Sequence, residues 1–576
     1  MTLKKLLIYL RPYRLESILG PLFKLLEASF ELFVPLVMKA IIDTGINGGA
    51  GHGFIIKMCL VLIALGLIGM FCSFTAQYFA AKAATGFAAD VRRALFRHLE
   101  GLSFSEIDKI GTSTMITRMT SDINQLQNGV NLALRLFLRS PFVVVGAMVM
   151  AFFVDARAAM VFVAVIPTLA VIIFGIMSVT MPMYKRAQKA LDAVLKSTRE
   201  NLSGMRVIRA FCREYAETDK FNAKNEALAD MQKLVGKISA LMNPLTYIII
   251  NIGVIVLIYV GAMRVEAGII LQGGVVALYN YMSQILVEMI KFANMTVSIS
   301  RAAACGNRIA DVLDEKPSMV NDTRKSGTES GGTVVFDNVS LTYGTSREAS
   351  LEGISFNVRA GETVGIIGGT GSGKTSLVHL IPRFYDASNG VVRVDGCDVR
   401  EYDVEALRER IGIVMQKAVL FKGSVRDNIR WGKPDASDDE ILEAIRTAQA
   451  LEVVEGKGGL DFGIEQGGKN LSGGQIQRMT IARALVRRPE ILILDDSASA
   501  LDFATDAALR KAIREMPSAP TTFIVSQRAA SVMYADKIIV LDDGKAVGMG
   551  THDELLRGCD IYAEIYYSQF PKEVCA

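Results

Sequence analysis

A six-span helical membrane domain followed by an α/β domain is the fold class predicted for this chain, and three observations predict it. Apolar runs long enough to cross a bilayer recur through roughly the first 310 of the 576 residues. From Val334 onward, short apolar strands alternate with helical stretches, the pattern of an α/β fold. Within that second region the glycine-rich stretch GGTGSGKTS follows a strand-like segment, TVGIIG, and opens a helix-like one, TSLVHLI.

Composition narrows the class. With 51% hydrophobic residues the chain is too apolar for an ordinary soluble protein, and 576 residues exceed one ordinary domain. A formal charge of +4 is small for that length, and no nucleic acid partner is expected. The seven cysteines are scattered without a CxxC, so neither a disulfide framework nor a zinc site is expected; the four histidines form no ligand pattern. The N-terminus, MTLKKLLIYLRPYRLESIL, is basic but has no clear cleavable leader. Its LLIYL reads either as a helix lying on the membrane surface or as the start of the first span.

The six candidate spans lie near 17–42, 55–82, 134–154, 157–181, 241–263 and 267–300. Short links, INGGAGHG, VDARAA and MRVEAG, join them in pairs. The second-to-third and fourth-to-fifth connections are long, helical in periodicity and basic, with Arg92, Arg93 and Arg97 in one and Lys185, Arg186, Arg206 and Arg209 in the other. The positive-inside rule puts these connections, and with them both termini, on the cytoplasmic side. Lys24, Glu27 and Glu31 fall in the first span, Asn251 in the fifth, and Glu288 and Lys291 in the sixth. Charges there are costly. They either line a cavity for cationic or amphipathic compounds or pair locally near a helix end. The predicted organisation is a transmembrane domain at 1–310, a Gly/Ser/Thr-rich linker at 311–332 and the α/β domain at 333–576.

The loop pattern in the α/β domain is Gly368-x4-Gly373-Lys374-Thr375, with Gly369, Thr370, Gly371 and Ser372 between and Ser376 after it. Strand, glycine-rich turn and helix in that order build a phosphate cradle from backbone N–H groups and a helix N-terminus. Lys374 then reaches the β and γ phosphates of a nucleotide, and Thr375 offers its hydroxyl to Mg2+. Further on, ILILDD reads as a buried strand delivering Asp495 to hold that magnesium through water.

Four further motifs carry a family resemblance. LSGGQIQR at 471–478 is the signature of ATP-binding cassette (ABC) transporters. Gln416 in IVMQKAVLF stands at the family's Q-loop position, SALD at 499–502 at its D-loop, and Tyr343 in VSLTYG where an aromatic stacks on adenine. Six spans followed by one ABC nucleotide-binding domain resembles an ABC exporter half-transporter. The resemblance implies ATP and Mg2+ as ligands and adds Gln416 to Thr375 and Asp495 as magnesium-site residues. It also implies that Ser472, Gly473, Gly474 and Gln475 open a helix onto a γ-phosphate held by a second cassette, so that a partner subunit is required.

Two positions depart from the family. Its hydrolytic site carries Glu after the magnesium Asp, where this chain has Asp496, one methylene shorter. That withdraws the carboxylate by about 1 Å, a misplacement that can cost about a hundredfold in rate. The switch histidine is replaced by Gln527 in FIVSQRAAS; Gln donates a hydrogen bond but carries no imidazolium charge. Both departures fall at the γ-phosphate end. The resemblance is therefore to the degenerate-site subunit of bacterial heterodimeric multidrug exporters. A homodimer of lipid or peptide exporters with two slow sites, and an ATP-gated regulatory subunit without transport of its own, remain alternatives. FSEIDKIGT (104–112), AFCREYAE (210–217) and Glu465 match the family's coupling positions. The expected role is ATP-driven export of hydrophobic or amphipathic compounds across the cell inner (plasma) membrane, in contact with the lipid bilayer.

Overall fold

The computed structural model describes residues 3–319, 331–344 and 348–570. Contacts divide the chain into two units, Met1–Glu100 with Ser113–Glu315, and Gly101–Thr112 with Lys316–Ala576. The helix Gln272–Asp314 runs into the expected linker, occupying its residues 311–314, and residues 320–330 of that linker lie outside the described residues.

In the first unit a helix accounts for each of the six predicted spans, the sixth beginning at Gln272 and not at 267. Four helical stretches, His52–Glu100, Thr112–Val154, Ala156–Ser203 and Glu214–Glu266, are long and apolar enough to cross a membrane. Arg14–Ala40 and Gln272–Asp314 are long enough but more polar, carrying Lys24, Glu27 and Glu31 in one and Asn280, Gln284 and Glu288 in the other. The expected continuation past the lipid is present: Ala156–Ser203 spans 48 residues, against the roughly 20 a bilayer needs. LLIYL falls in a 3-10 turn, Leu7–Tyr13, ahead of the first long helix.

Small residues set the packing. Ala76, Ala80, Ala83, Ala84 and Ala88 are fully buried along one face of His52–Glu100, and Gly20 of Arg14–Ala40 meets Ala80. Helices in lipid gain little from apolar burial against each other, so close backbone approach and polar contacts hold them together. Of the charges noted in the sequence, Lys24 and Glu27 pair locally at 2.6 Å. Glu31 and Glu288 are joined across helices by Arg139, which the sequence reading did not single out. Its guanidinium donates to Glu31 at 2.6 Å and to Glu288 at 2.5 Å, and Ser140 donates to the other Glu288 oxygen at 2.8 Å. One arginine thus ties three helices. Asn251 donates to its own helix, to the carbonyl of Tyr247.

The second unit is built on a six-stranded sheet. Its order is Lys545–Gly550, Lys537–Asp542, Thr363–Gly368, Thr521–Val525, Ile491–Asp495 and Ile411–Val414, parallel except for the first strand. Helices cover both faces, which explains why ILILD and TTFIV are buried at every residue instead of alternating. A four-stranded sheet, Leu351–Val358, Val334–Leu341, Asn389–Val394 and Cys397–Asp398, packs beside it. The parallel strands deliver Gly368, Asp495 and Ser526 to one edge, where α/β sheets bind ligands.

Removing Arg139 leaves buried Glu288 with only the half-exposed Lys291 as a counter-charge. Arg139→Met is expected to destabilise the helical unit by about 3–5 kcal/mol, and Arg139→Met with Glu288→Met to recover most of that loss. Thermal unfolding in nonionic detergent measures both.

Candidate functional site

The loop after Thr363–Gly368 turns on glycine. Gly373 has φ +93, and a Cβ there would lie 2.6 Å from the carbonyl oxygen of Ser350, so no side chain is admitted. Gly369, Thr370, Gly371 and Ser372 complete the turn, and Lys374 opens the helix Lys374–His379. The Lys374 ammonium is folded onto its own loop, donating to the carbonyls of Gly368 (2.9 Å) and Gly369 (2.5 Å). Burial lowers its pKa from the ordinary lysine value. A phosphate placed in the loop offers that ammonium stronger, charged acceptors.

Thr375 donates its hydroxyl to Asp495 at 2.9 Å. Asp495 is buried, and its second carboxylate oxygen has no hydrogen-bond partner. Burial raises its pKa, and the neighbouring Asp496 adds to that. The nearest basic group is His379, whose Nε2 lies 3.8 Å away and is also unpartnered; burial lowers the His379 pKa, so its positive charge is disfavoured. Among the described residues no group of three or more His, Cys, Asp and Glu could hold a metal alone. An orphaned carboxylate oxygen beside a threonine hydroxyl fits Mg2+, which takes one or two protein groups and completes its shell with phosphate and water. Magnesium bound there with ATP would neutralise phosphate charge. Lys374, Thr375 and Asp495 would hold and orient it.

Asp496 follows in a left-handed conformation, φ +47, which Asp tolerates better than most residues. Gln416 donates to its carboxylate at 3.4 Å. Gln527 is exposed, and its backbone is clamped: the Gln569 side chain donates to the Gln527 carbonyl and accepts from the Ala529 N–H, each at 2.8 Å. Arg528 ties the same loop to the D-loop by donating to the carbonyls of Ala498, Ser499 and Leu501. Sequence reading missed Arg528, Gln569 and His379. The first stood next to Gln527 and could have been questioned; nothing local marked the other two.

Tyr343 donates to Ser376 at 3.0 Å and meets Tyr385 edge-on, with centroids 4.9 Å apart. Tyr385 in turn donates to Asp108 at 2.6 Å, and Phe104 stacks on Phe384 at 4.4 Å. The helix Phe104–Ile110, from the first expected coupling stretch, therefore packs on the α/β unit beside the predicted adenine position. The second, near 210–217, forms a tip in which Phe211 and Tyr215 are 73% and 86% exposed. The signature helix Gly473–Leu485 is capped by Ser472 and Gln475, each bonding the other's backbone N–H, and Ser472 and Gly473 face solvent. Gly474 allows the D-loop close: a Cβ there would lie 2.8 Å from the Ala500 oxygen. Glu465 is likewise exposed.

Residues 17–289 match the ABC transporter transmembrane region and residues 351–499 the ABC transporter ATP-binding domain. The chain belongs to the ABC transporter family. It is an ATPase coupled to transport, with a membrane domain fused to its ATP-binding domain. An uncharacterized ABC transporter ATP-binding protein of Mycobacterium tuberculosis is 38% identical over 575 residues, covering 99% of this transporter and 98% of the relative. A putative multidrug export ATP-binding/permease protein of Bacillus subtilis is 30% identical over 586 residues, covering 96% and 97%. The fold is that of a bacterial Atm1-family ABC exporter solved with ATP bound, with a TM-score of 0.79, 98% and 99% coverage and 23% identity.

Because burial opposes the Asp495 charge, Asp495→Asn is expected to raise the melting temperature in magnesium-free buffer. The same change weakens magnesium-dependent ATP binding by roughly tenfold or more. Calorimetry and nucleotide titration with and without Mg2+ check the two effects.

Proposed function

We propose that this transporter is one half of a heterodimeric exporter of hydrophobic or amphipathic compounds, with its own ATP site kept for binding and impaired for hydrolysis. The observation that carries the reading is the division of the site. Tyr343, the loop, Lys374, Thr375 and Asp495 retain every group that holds Mg-ATP, whereas the two substitutions, Asp496 and Gln527, fall where water attack and γ-phosphate contact belong. The exposed start of the signature helix supports a role in trans, with Ser472, Gly473, Gly474 and Gln475 serving the partner's nucleotide. Exposed Phe211 and Tyr215 suit a tip that docks on a partner cassette. The name of the Bacillus subtilis relative supports the compound class. In this reading the domains are 1–310, 311–332 and 333–576, all six long helices span the inner membrane, and the cassette and both termini are cytoplasmic.

A second reading has one supporting observation. Gln416 reaches the Asp496 carboxylate, so this pair could position a water for slow hydrolysis in a homodimer.

ATPase activity of the chain purified alone in lipid separates the two. The expected result is near-silence, restored by a partner half-transporter carrying Glu and His at the two positions. Asp496→Glu with Gln527→His is expected to raise turnover by about a hundredfold. Brisk hydrolysis by the unmodified chain alone would overturn the asymmetric reading.

A further inference from the structure

The two carboxylates joined by the arginine that ties three helices line a cavity. A space of about 500 Å³ is lined by Glu31, Asn280, Ser283, Gln284, Glu288 and Lys291, with Val34 and Val143 on its apolar side. That volume lies within the range of small-molecule sites. Its charges are arranged as a chain: Glu31, Arg139, Glu288 and Lys291 contact one another in turn at 2.6, 2.5 and 3.0 Å. The inner pair is buried, Arg139 and Glu288 having side chains 8% and 4% exposed. The outer two are open, with Glu31 at 43% and Lys291 at 48%. The cavity thus offers a solvated carboxylate at one end and a solvated ammonium at the other. Two carboxylates and two cations cancel, so the site has no net charge with which to prefer a simple cation or a simple anion. Beside them, the Gln284 Oε1 atom is buried and has nothing to accept from, an arrangement that costs free energy until a donor arrives.

We propose that this cavity binds amphipathic zwitterions: a compound with an N–H-bearing ammonium directed at Glu31 and Gln284, an anionic group at Lys291, and an apolar body along Val34 and Val143. The proposal rests on the export reading above and names the class of compound carried. A purely cationic amphipath gains Glu31 but meets Lys291 unshielded; a purely anionic one meets the reverse. The zwitterion satisfies both ends without breaking the buried Arg139–Glu288 pair, whose disruption would leave an uncompensated charge.

The test is binding to the full chain in nonionic detergent without nucleotide, using single-tailed probes of one chain length: dodecylphosphoethanolamine, dodecylamine and methyl dodecyl phosphate. The zwitterion is expected to bind about tenfold more tightly than either singly charged probe. Glu31→Gln is expected to remove its advantage over methyl dodecyl phosphate, and Lys291→Met its advantage over dodecylamine. Both residues are solvated, and thermal unfolding reports whether either variant is misfolded; the ranking on the unmodified chain needs no variant. Equal affinities for all three probes, or tightest binding of dodecylamine, overturns the proposal. A short two-tailed phosphatidylethanolamine, run in parallel, separates a lipid headgroup from a single-tailed solute: binding of both probes identifies lipid as a source, and binding of the single-tailed probe alone identifies a soluble amphipath. Because no nucleotide is present, the outcome is independent of which ATP site hydrolyses.

Discussion

A buried carboxylate is the constraint on which the α/β unit depends. Asp495 ends a strand with no exposed residue, and a carboxylate in such a place is costly unless something answers it. Thr375 answers one oxygen; the other has no partner. The parallel sheet brings this carboxylate beside the glycine turn whose lysine bonds only neutral acceptors, two carbonyls and the Ser372 hydroxyl. The carboxylate lacks a partner and the ammonium lacks a counter-charge, and magnesium with a phosphate chain would supply both. Nucleotide binding is therefore built into what the fold leaves incomplete, and this part of the site carries no substitution.

The γ-phosphate end differs in kind. Asp496 and Gln527 are not locked by burial but by backbone. Asp496 takes a left-handed conformation, and the Gln527 loop is held by Gln569 on one side and by Arg528, bonded to the Ala498, Ser499 and Leu501 carbonyls, on the other. The backbone around both positions is thus held in place whatever side chains stand there. On the proposed reading such a site would hold ATP while contributing little to water attack, and in a paired assembly one nucleotide would stay while the other turns over.

The helical unit uses the same economy of charge. Lys24 and Glu27 pair within one helix, and Lys24 also donates to Ser73 of the next. Arg139, Glu288 and Glu31 cannot pair within one helix, since they come from three. Buried Arg139 and Glu288 pair with each other, while Glu31 and Lys291 keep solvent access around a cavity. A polar cluster that began as a stability problem thereby becomes a recognition surface.

What the sequence determined by itself was everything carried by short-range pattern. Apolar runs located the long helices of the membrane domain, because bilayer thickness sets a length that can be counted. The loop motif, Asp495, the signature and the altered Asp496 and Gln527 were legible because backbone geometry around phosphate requires particular residue types at close spacing. The tertiary structure alone decided which distant residues meet. Arg139 was not singled out in the sequence, and only packing of three helices made it the partner of Glu31 and Glu288. His379 against Asp495, Gln569 on the Gln527 loop, and Tyr385 between Tyr343 and Asp108 are likewise contacts across many residues of chain. Periodicity reports which face of an element is apolar; it carries no information about which face of which other element will lie against it.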